Sequence, residues 1–273
     1  MNGNLVLVGC GNMGFAMLKG WLAAGILKPE QIAVVEPADA LRERAATLGV
    51  AAVADVAALA EDYPARIIIV AVKPQVMGNV LPAYKRFAGS ATFVSVAAGI
   101  KVGFFEDHLG TGTAIIRTIP NTPAAIGKGM IVTYRNSHVD AADAALVDEL
   151  LKTSGEVASV ADESLIDAAT AVSGSGPAYV FHFIECLTEA AIAVGFEPET
   201  AGLLAMQTVY GAASLAASSA DSPTLLREQV TSPRGTTAAA LDVLMGHDKL
   251  KQLMAEAVSA AHQRAIELGS GAA

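Results

Sequence analysis

The stretch Leu5-Val6-Leu7-Val8-Gly9-Cys10-Gly11-Asn12-Met13-Gly14 decides the fold, because an apolar strand leads directly into a GxGxxG turn. The strand has the pattern of one buried on both faces, and residues 15–24 have the apolar spacing of a helix. Gly9 permits the tight turn, Gly11 lets the backbone approach a pyrophosphate, and Gly14 lets the helix pack against the strand. We therefore predict dinucleotide contacts along the turn, at Gly9, Cys10, Gly11, Asn12, Met13 and Gly14.

Composition and charge narrow the class of protein. The 273 residues are 53% hydrophobic and carry a net charge of −9, which favours a globular protein and disfavours nucleic acid or an anionic membrane as a partner. The two cysteines and five histidines are scattered without ligand spacing, so we expect no metal site. The N-terminal residues lack the basic region of a signal peptide, which makes the cytoplasm the expected compartment.

Strand and helix patterns alternate up to residue 160, and helix patterns alone follow. The alternation predicts an α/β fold with a Rossmann-type, doubly wound and mainly parallel sheet. Within it, residues 55–61 have the pattern of a helix that begins with an acidic cap. We expect a dinucleotide-binding domain at residues 1–160 and an all-α dimerisation domain at 161–273. The later helices are predicted over 163–172, 177–194, 198–219, 223–229, 235–245 and 248–268.

One predicted helix, Thr200 to Ala220, contains no charged residue and has about the length that crosses a bilayer. It is rich in alanine and includes Gln207 and Tyr210, which is unlike a membrane span. We therefore predict a helix that is buried between subunits.

Glu36 follows the second predicted strand, about 20 positions after the glycine turn. An acidic residue at this point accepts the ribose 2′-hydroxyl of NAD(H), which favours that cofactor. Arg42 and Arg44 follow on a predicted helix over 38–48, and an arginine in this region can bind the 2′-phosphate of NADP(H). The residues leave the choice between NADP(H) and NAD(H) open.

Other candidate residues follow predicted strands at their carboxyl ends, where open α/β sheets bind ligands. Lys73 comes directly after the β-branched strand over 66–72, which places it at the mouth of the cofactor crevice. A solvated lysine at a turn is the alternative interpretation. The predicted cofactor contacts from these strand ends are Val72, Lys73, Pro74, Ala97, Ala98 and Asn121.

Two turns stand out in the helical half, Ser173 to Tyr179 and Thr231 to Thr237. Each brings hydroxyl groups and free helix N–H groups to the start of a predicted helix, an arrangement that suits a carboxylate. Two capped helices without a ligand would have the same pattern.

These turns carry a family resemblance that covers essentially the whole chain. Ala171-Val172-Ser173-Gly174-Ser175-Gly176-Pro177-Ala178-Tyr179 and Ser232-Pro233-Arg234-Gly235-Thr236-Thr237 resemble motifs of the pyrroline-5-carboxylate reductase family. The resemblance implies hydride transfer from NAD(P)H to the C=N bond of a small cyclic imine carboxylate, 1-pyrroline-5-carboxylate, giving L-proline. It also implies a helical domain that interlocks two subunits, a homodimer at least, often assembled into decamers. The other matches, in the family's order, are Ala71-Val72-Lys73-Pro74-Gln75, Ala97-Ala98-Gly99, Pro120-Asn121-Thr122-Pro123 and Glu189-Ala190-Ala191.

The resemblance also implies roles for single residues. The Thr237 hydroxyl is the expected donor to the ring nitrogen, and Lys73 would add positive potential or orient the cofactor amide. No catalytic histidine is implied. The expected substrate-binding residues, chiefly around the carboxylate, are Ser175, Gly176, Ser232, Gly235, Thr236 and Thr237.

Two positions depart from the family pattern. Arg234 stands where the family usually has glycine, so it either adopts a strained backbone angle or reaches an anion with its guanidinium. Glu36 stands where many relatives carry small polar residues.

Two other functions compete with the reductase. A β-hydroxyacid dehydrogenase would need a catalytic lysine on a long helix, but Lys249 and Lys251 lack the matching glycine motif. A non-catalytic dinucleotide sensor would have no need of the loop from Ser232 to Thr237.

Overall fold

The computed structural model describes residues 3–269 and contains one eight-stranded sheet. The strand order is β3-β2-β1-β4-β5-β6-β7-β8, with β7 antiparallel to β6 and every other neighbouring pair parallel. This confirms the predicted mainly parallel sheet. The strands are β1 Asn4–Val8, β2 Ile32–Val35, β3 Ala51–Val53, β4 Ala65–Val70, β5 Thr92–Ser95, β6 Ile115–Ile119, β7 Gly129–Arg135 and β8 Gly155–Val160.

Helices alternate with the strands and then continue alone. A π-helical segment, Thr170–Gly174, extends the sixth helix and lies just before the Ser175-Gly176 turn. The α-helices are α1 Asn12–Ala23, α2 Asp39–Ala46, α3 Pro74–Val80, α4 Val102–Leu109, α5 Ala141–Lys152, α6 Ser164–Ala169, α7 Gly176–Ala193, α8 Pro198–Ser218, α9 Pro223–Gln229, α10 Thr236–Met245 and α11 Lys249–Gly269.

Both faces of the sheet are covered, because successive strand residues point to opposite sides. In β1, Val6 and Val8 face one apolar core, whereas Leu5 and Leu7 face the other. The second core includes Trp21 of α1, whose indole Nε1 donates a hydrogen bond to the Leu150 carbonyl at 3.1 Å. These contacts fix α1 and α5 on one face of the sheet and hold the glycine turn at the end of β1.

Three segments differ from the sequence prediction. Residues 55–61 form no α-helix; Asp55 caps only a short 3₁₀ turn, Val56–Ala58. Helices α3 and α4 were not predicted. Each has eight residues or fewer and contains a glycine, so periodicity and propensity are weak there.

The chain divides into two compact units. Among the described residues, we call 3–175 together with 261–269 the sheet unit, and 176–260 the helical unit. The expected boundary after residue 160 lies earlier in the chain and stays a prediction. Across residues 3–269, no helix combines the length and apolar character that crossing a membrane requires.

Candidate active site

A cavity of about 500 Å³ opens at the carboxyl ends of β1, β2 and β4. It lies where the strand order reverses around β1, which is the place where doubly wound sheets bind ligands. Five predicted cofactor residues line it: Gly9, Gly11, Glu36, Val72 and Lys73. The structure therefore brings together residues that lie far apart in the sequence.

The glycine turn fits a bound dinucleotide at the backbone level. Gly9 has a φ of +89°, and a Cβ there would lie 2.9 Å from the Ala71 carbonyl oxygen. A Cβ on Gly14 would lie well within the van der Waals contact distance of the Gly9 carbonyl oxygen. Nothing lies within 4 Å of the position for a Cβ on Gly11, so this part of the turn is open. Gly9 and Gly14 are needed because a side chain would clash with the backbone, whereas Gly11 leaves room for a phosphate beside the start of α1.

Glu36 is buried at the end of β2, with 6% of its surface exposed. Its carboxylate accepts the Cys10 N–H at 2.7 Å through Oε2 and the Ala38 N–H at 3.0 Å through Oε1. Glu36 thus ties the glycine turn to the start of α2, and it is one of the residues that line the cavity.

The two nearby arginines bind backbone carbonyls. Arg42 donates to the carbonyls of Glu36 and Pro37 at 3.1 and 3.0 Å. Arg44 donates to the Cys10 carbonyl at 2.9 Å, and its guanidinium lies 4.1 Å from the centroid of the Phe15 ring. Both cations therefore act in the structure as braces for the loops around the cavity.

The remaining members of the turn have different environments. Cys10 is fully buried, and burial raises the pKa of its thiol to about 11, so the thiol is neutral at physiological pH. Met13 is partly exposed, and Asn12 lines a separate cleft beside α1. Contacts of these three residues with a cofactor stay predictions.

A second cavity, of about 300 Å³, lies in the sheet unit beyond β4 and β5. Pro74 and Ala98 line it, whereas Lys73 is the exposed N-cap residue of α3 and lines the larger cavity. Ala97 is buried, and its N–H donates to the Ser95 hydroxyl at 3.3 Å. The predicted cofactor residues after β4 and β5 thus divide between two neighbouring cavities.

Asn121 is occupied by internal hydrogen bonds. Its side-chain amide donates to the Ser173 carbonyl at 2.9 Å and accepts the Met130 N–H at 2.9 Å. It therefore connects the loop after β6 to the π-helical segment. A contact between Asn121 and the cofactor stays a prediction.

A buried ion-pair cluster behind the second cavity escaped the sequence analysis. Arg117 on β6 is 1% exposed and donates to Asp167 at 2.8 Å and to Glu163 at 3.2 Å. Asp167 lies in α6 and lines the second cavity, and Glu163 is the N-cap residue of α6, so Arg117 holds the start of α6 on the sheet. A lone arginine inside the apolar strand Ile115–Ile119 is the signal that points to such a partner.

The predicted substrate loop of the helical unit forms the start of α10. Gly235 is the N-cap residue, and its N–H donates to the Ser232 carbonyl at 3.0 Å. Thr236 and Thr237 are the first two residues of the helix, where backbone N–H groups lack intrahelical acceptors. This geometry offers N–H groups and hydroxyls to an anion, as the sequence pattern predicts.

Arg234 has a φ of +60°, a left-handed conformation that favours glycine. The strained backbone angle expected from the sequence is therefore present. Its side chain is exposed.

The other predicted turn begins with the π-helical segment. Ser175 donates its N–H to the Thr170 carbonyl at 2.8 Å, and α7 begins at Gly176. The Ser173 hydroxyl donates back to the Ala169 carbonyl at 3.0 Å. π-helical turns are frequent at functional sites. Substrate contacts of Ser175 and Gly176 stay predictions.

The helical unit leaves apolar side chains uncovered within a single chain. Leu203, Met206 and Tyr210 of α8 are 67%, 53% and 66% exposed, and their spacing puts them on one face of the helix. Large contiguous apolar surfaces mark interaction sites. This face is typical of a subunit of a homo-oligomer.

The described part of the chain contains no cluster of metal-ligating side chains. Among residues 3–269, no group of three or more His, Cys, Asp and Glu side chains is arranged to hold a metal ion. The expected absence of a metal site stays a prediction.

Comparison with known proteins places the chain in a family. The enzyme named pyrroline-5-carboxylate reductase from Pseudomonas aeruginosa is 38% identical over 266 residues, which cover 97% of this chain and 96% of that one. The chain belongs to the pyrroline-5-carboxylate reductase family. The Escherichia coli member is 36% identical over 89% of this chain and 90% of its own. The resemblance deduced from the sequence motifs is confirmed.

Family models and solved structures agree with this assignment. The model described as "Pyrroline-5-carboxylate reductase dimerisation" matches residues 163–268, and "NADP oxidoreductase coenzyme F420-dependent" matches residues 4–99. A reductase structure from Coxiella burnetii has a TM-score of 0.91 at 34% identity, covering 98% of this chain and 99% of that one. The Plasmodium falciparum enzyme, solved with NADP bound, has a TM-score of 0.80 at 30% identity, covering 98% of each chain. The predicted fold class and the nicotinamide dinucleotide cofactor are confirmed.

Proposed function

We propose that this chain reduces the C=N bond of 1-pyrroline-5-carboxylate with NAD(P)H to give L-proline, the last step of proline biosynthesis. The observation that supports this proposal most strongly is the full-length similarity to enzymes named pyrroline-5-carboxylate reductase. The chain also has a cavity at the predicted dinucleotide site and a hydroxyl-rich helix start. The bound nicotinamide supplies the hydride, which the imine carbon accepts while the ring nitrogen takes a proton.

The loop at the start of α10 holds the substrate in this proposal. The backbone N–H groups of Thr236 and Thr237 and the Ser232 hydroxyl bind the carboxylate, because a helix N-terminus favours an anion. Gly235 keeps this loop compact, since a Cβ there would lie 3.1 Å from the Ser232 carbonyl oxygen. Ser175 and Gly176, where α7 begins, are the other proposed substrate contacts.

Thr237 acts on the ring nitrogen. An imine nitrogen is much more basic than a carbonyl oxygen, so a hydrogen-bond donor at this position suffices without a strongly acidic side chain. The Thr237 hydroxyl is half-buried and serves as that donor. Lys73, at the cofactor cavity, adds positive potential or orients the cofactor amide.

The assembly and setting of the enzyme belong to the same proposal. The apolar face of α8 supports a homodimer as the smallest unit, and a decamer is the larger assembly that the family resemblance implies. The net charge of −9 supports the absence of a nucleic acid partner, and the cytoplasm is the proposed compartment. The dimerisation match from residue 163 supports functional domains at 1–160 and 161–273.

A substrate comparison tests the proposed reaction. The purified protein is assayed for oxidation of NADH and of NADPH with 1-pyrroline-5-carboxylate and, separately, with pairs of 3-hydroxy and keto acids. Turnover of the imine alone is expected. Turnover of the hydroxy acids without the imine would show a β-hydroxyacid dehydrogenase, and binding without turnover of either would show a dinucleotide sensor.

A further inference from the structure

The cofactor cavity is negatively charged at the end where β2 stops. Glu36 and Asp55 both line it, and Glu36 is held rigidly by the N–H groups of Cys10 and Ala38. A carboxylate offers about four lone-pair sites, so these two bonds leave capacity for further donors. Hydroxyl groups are donors, whereas a phosphate offers mainly acceptors and negative charge.

Both nearby arginines are held by internal contacts, so neither guanidinium is free to reach a 2′-phosphate. Arg42 binds the carbonyls of Glu36 and Pro37 and forms a short ion pair with Asp39. Arg44 binds the Cys10 carbonyl and stacks on Phe15, and its Nε atom is buried without a hydrogen-bond partner. Moving either guanidinium to a phosphate would break contacts that brace the loops of the cavity.

Lys73 also lines the cavity, but it follows β4. In the sheet, β1 lies between β2 and β4. Two strand spacings put the Lys73 backbone about 10 Å from that of Glu36. The lysine therefore belongs to the middle of the crevice, apart from the end of β2.

We propose that Glu36 makes this chain prefer NADH to NADPH. The Glu36 carboxylate accepts the hydroxyls of the adenosine ribose and repels a 2′-phosphate, while Arg42 and Arg44 stay on their backbone carbonyls. The inference concerns this chain alone, since its relative from Plasmodium falciparum was solved with NADP bound. It rests on the proposed function only for the use of the cofactor in catalysis.

Equilibrium binding tests the inference without substrate. The dissociation constants of NADH and NADPH are measured by fluorescence titration for the wild type, Glu36→Ser and Glu43→Gln. Glu43 is an exposed residue of α2, so its variant removes the same charge away from the cavity. Loss of Glu36 also frees the Cys10 N–H, which weakens both cofactors, so the ratio of the two constants is the diagnostic quantity.

We expect the wild type to bind NADH about tenfold or more tightly than NADPH, and Glu36→Ser to reduce that ratio about tenfold. Glu43→Gln leaves the ratio unchanged. A wild type that binds NADPH more tightly, or a ratio that Glu36→Ser does not alter, would overturn the inference.

The binding titrations and the turnover assay together separate this inference from the proposed reaction. If NADH is preferred but no imine is reduced with either cofactor, the proposed function fails and the role of Glu36 stands. If the imine is reduced with NADPH at least as efficiently as with NADH and binding shows no preference, the role of Glu36 fails and the reaction stands.

Discussion

The sheet unit and the helical unit bury their side chains in different ways. The sheet unit encloses two apolar cores, and its buried Arg117 is paired with Asp167 within the unit. In the helical unit, α7 and α10 contain no buried residue although the structure describes both helices completely. Every residue that lines the cofactor cavity lies in the sheet unit, whereas the helical unit has exposed apolar surfaces that are typical of subunit interfaces.

The largest expected effect tests the self-contained cofactor cavity. Gly14→Ala places a Cβ against the Gly9 carbonyl oxygen, and backbone at this point cannot move without opening the turn. We expect NADH binding to weaken about 100-fold or more, measured by fluorescence titration.

Gly103→Ala is the matched control, because nothing lies within 4 Å of a Cβ there and Gly103 is in α4. It should bind NADH as the wild type does. Equal binding by Gly14→Ala would contradict the steric role of Gly14.

The next effect tests the open apolar face. Met206→Glu puts a charge in the centre of the exposed face of α8, and a charge buried between subunits costs several kcal/mol. We expect the oligomer to dissociate, as measured by light scattering. NADH binding should persist, because every residue that lines the cofactor cavity lies in the sheet unit.

Ile126→Glu is the control for that experiment. Ile126 is 77% exposed but belongs to the sheet unit. Its variant should keep the wild-type mass. An unchanged mass for Met206→Glu would show that this face of α8 is not an interface.

The smallest expected effect concerns Arg234. Glycine adopts the φ of +60° without strain, so Arg234→Gly should stabilise the fold by about 1 kcal/mol. Activity should stay within about tenfold of the wild type, because the side chain is exposed and has no assigned role. The measurements are chemical unfolding and steady-state kinetics. A loss of several orders of magnitude would place Arg234 in the catalytic machinery.

Local patterns account for the part of the fold that sequence predicted. The strand around Ile67 to Val70 is continuous and β-branched, and the glycine turn depends on residues within ten positions, so both are visible in the sequence. Short helices such as α3 and α4 carry too few residues to show a period, and tertiary contacts decide them.

In the candidate site, too, local sequence patterns do not reveal the tertiary contacts. The sequence places Glu36 and the two arginines in one region, but it does not show that both arginines bind carbonyls. Likewise, the partners of Arg117 lie 46 and 50 positions away, beyond the reach of any local pattern. The cofactor class was predictable because it follows from a local motif. The preference between NADH and NADPH was not, because it depends on side-chain contacts that the sequence does not show.

The variant Thr237→Ala tests most directly whether cofactor binding depends on the sheet unit and substrate turnover on the helical unit. It removes a hydroxyl from the helical unit, and Thr237 is not among the residues that line the cofactor cavity. We predict that turnover of 1-pyrroline-5-carboxylate falls about 100-fold while the dissociation constant of NADH stays at the wild-type value. Loss of NADH binding in this variant, or unchanged turnover, would contradict the account.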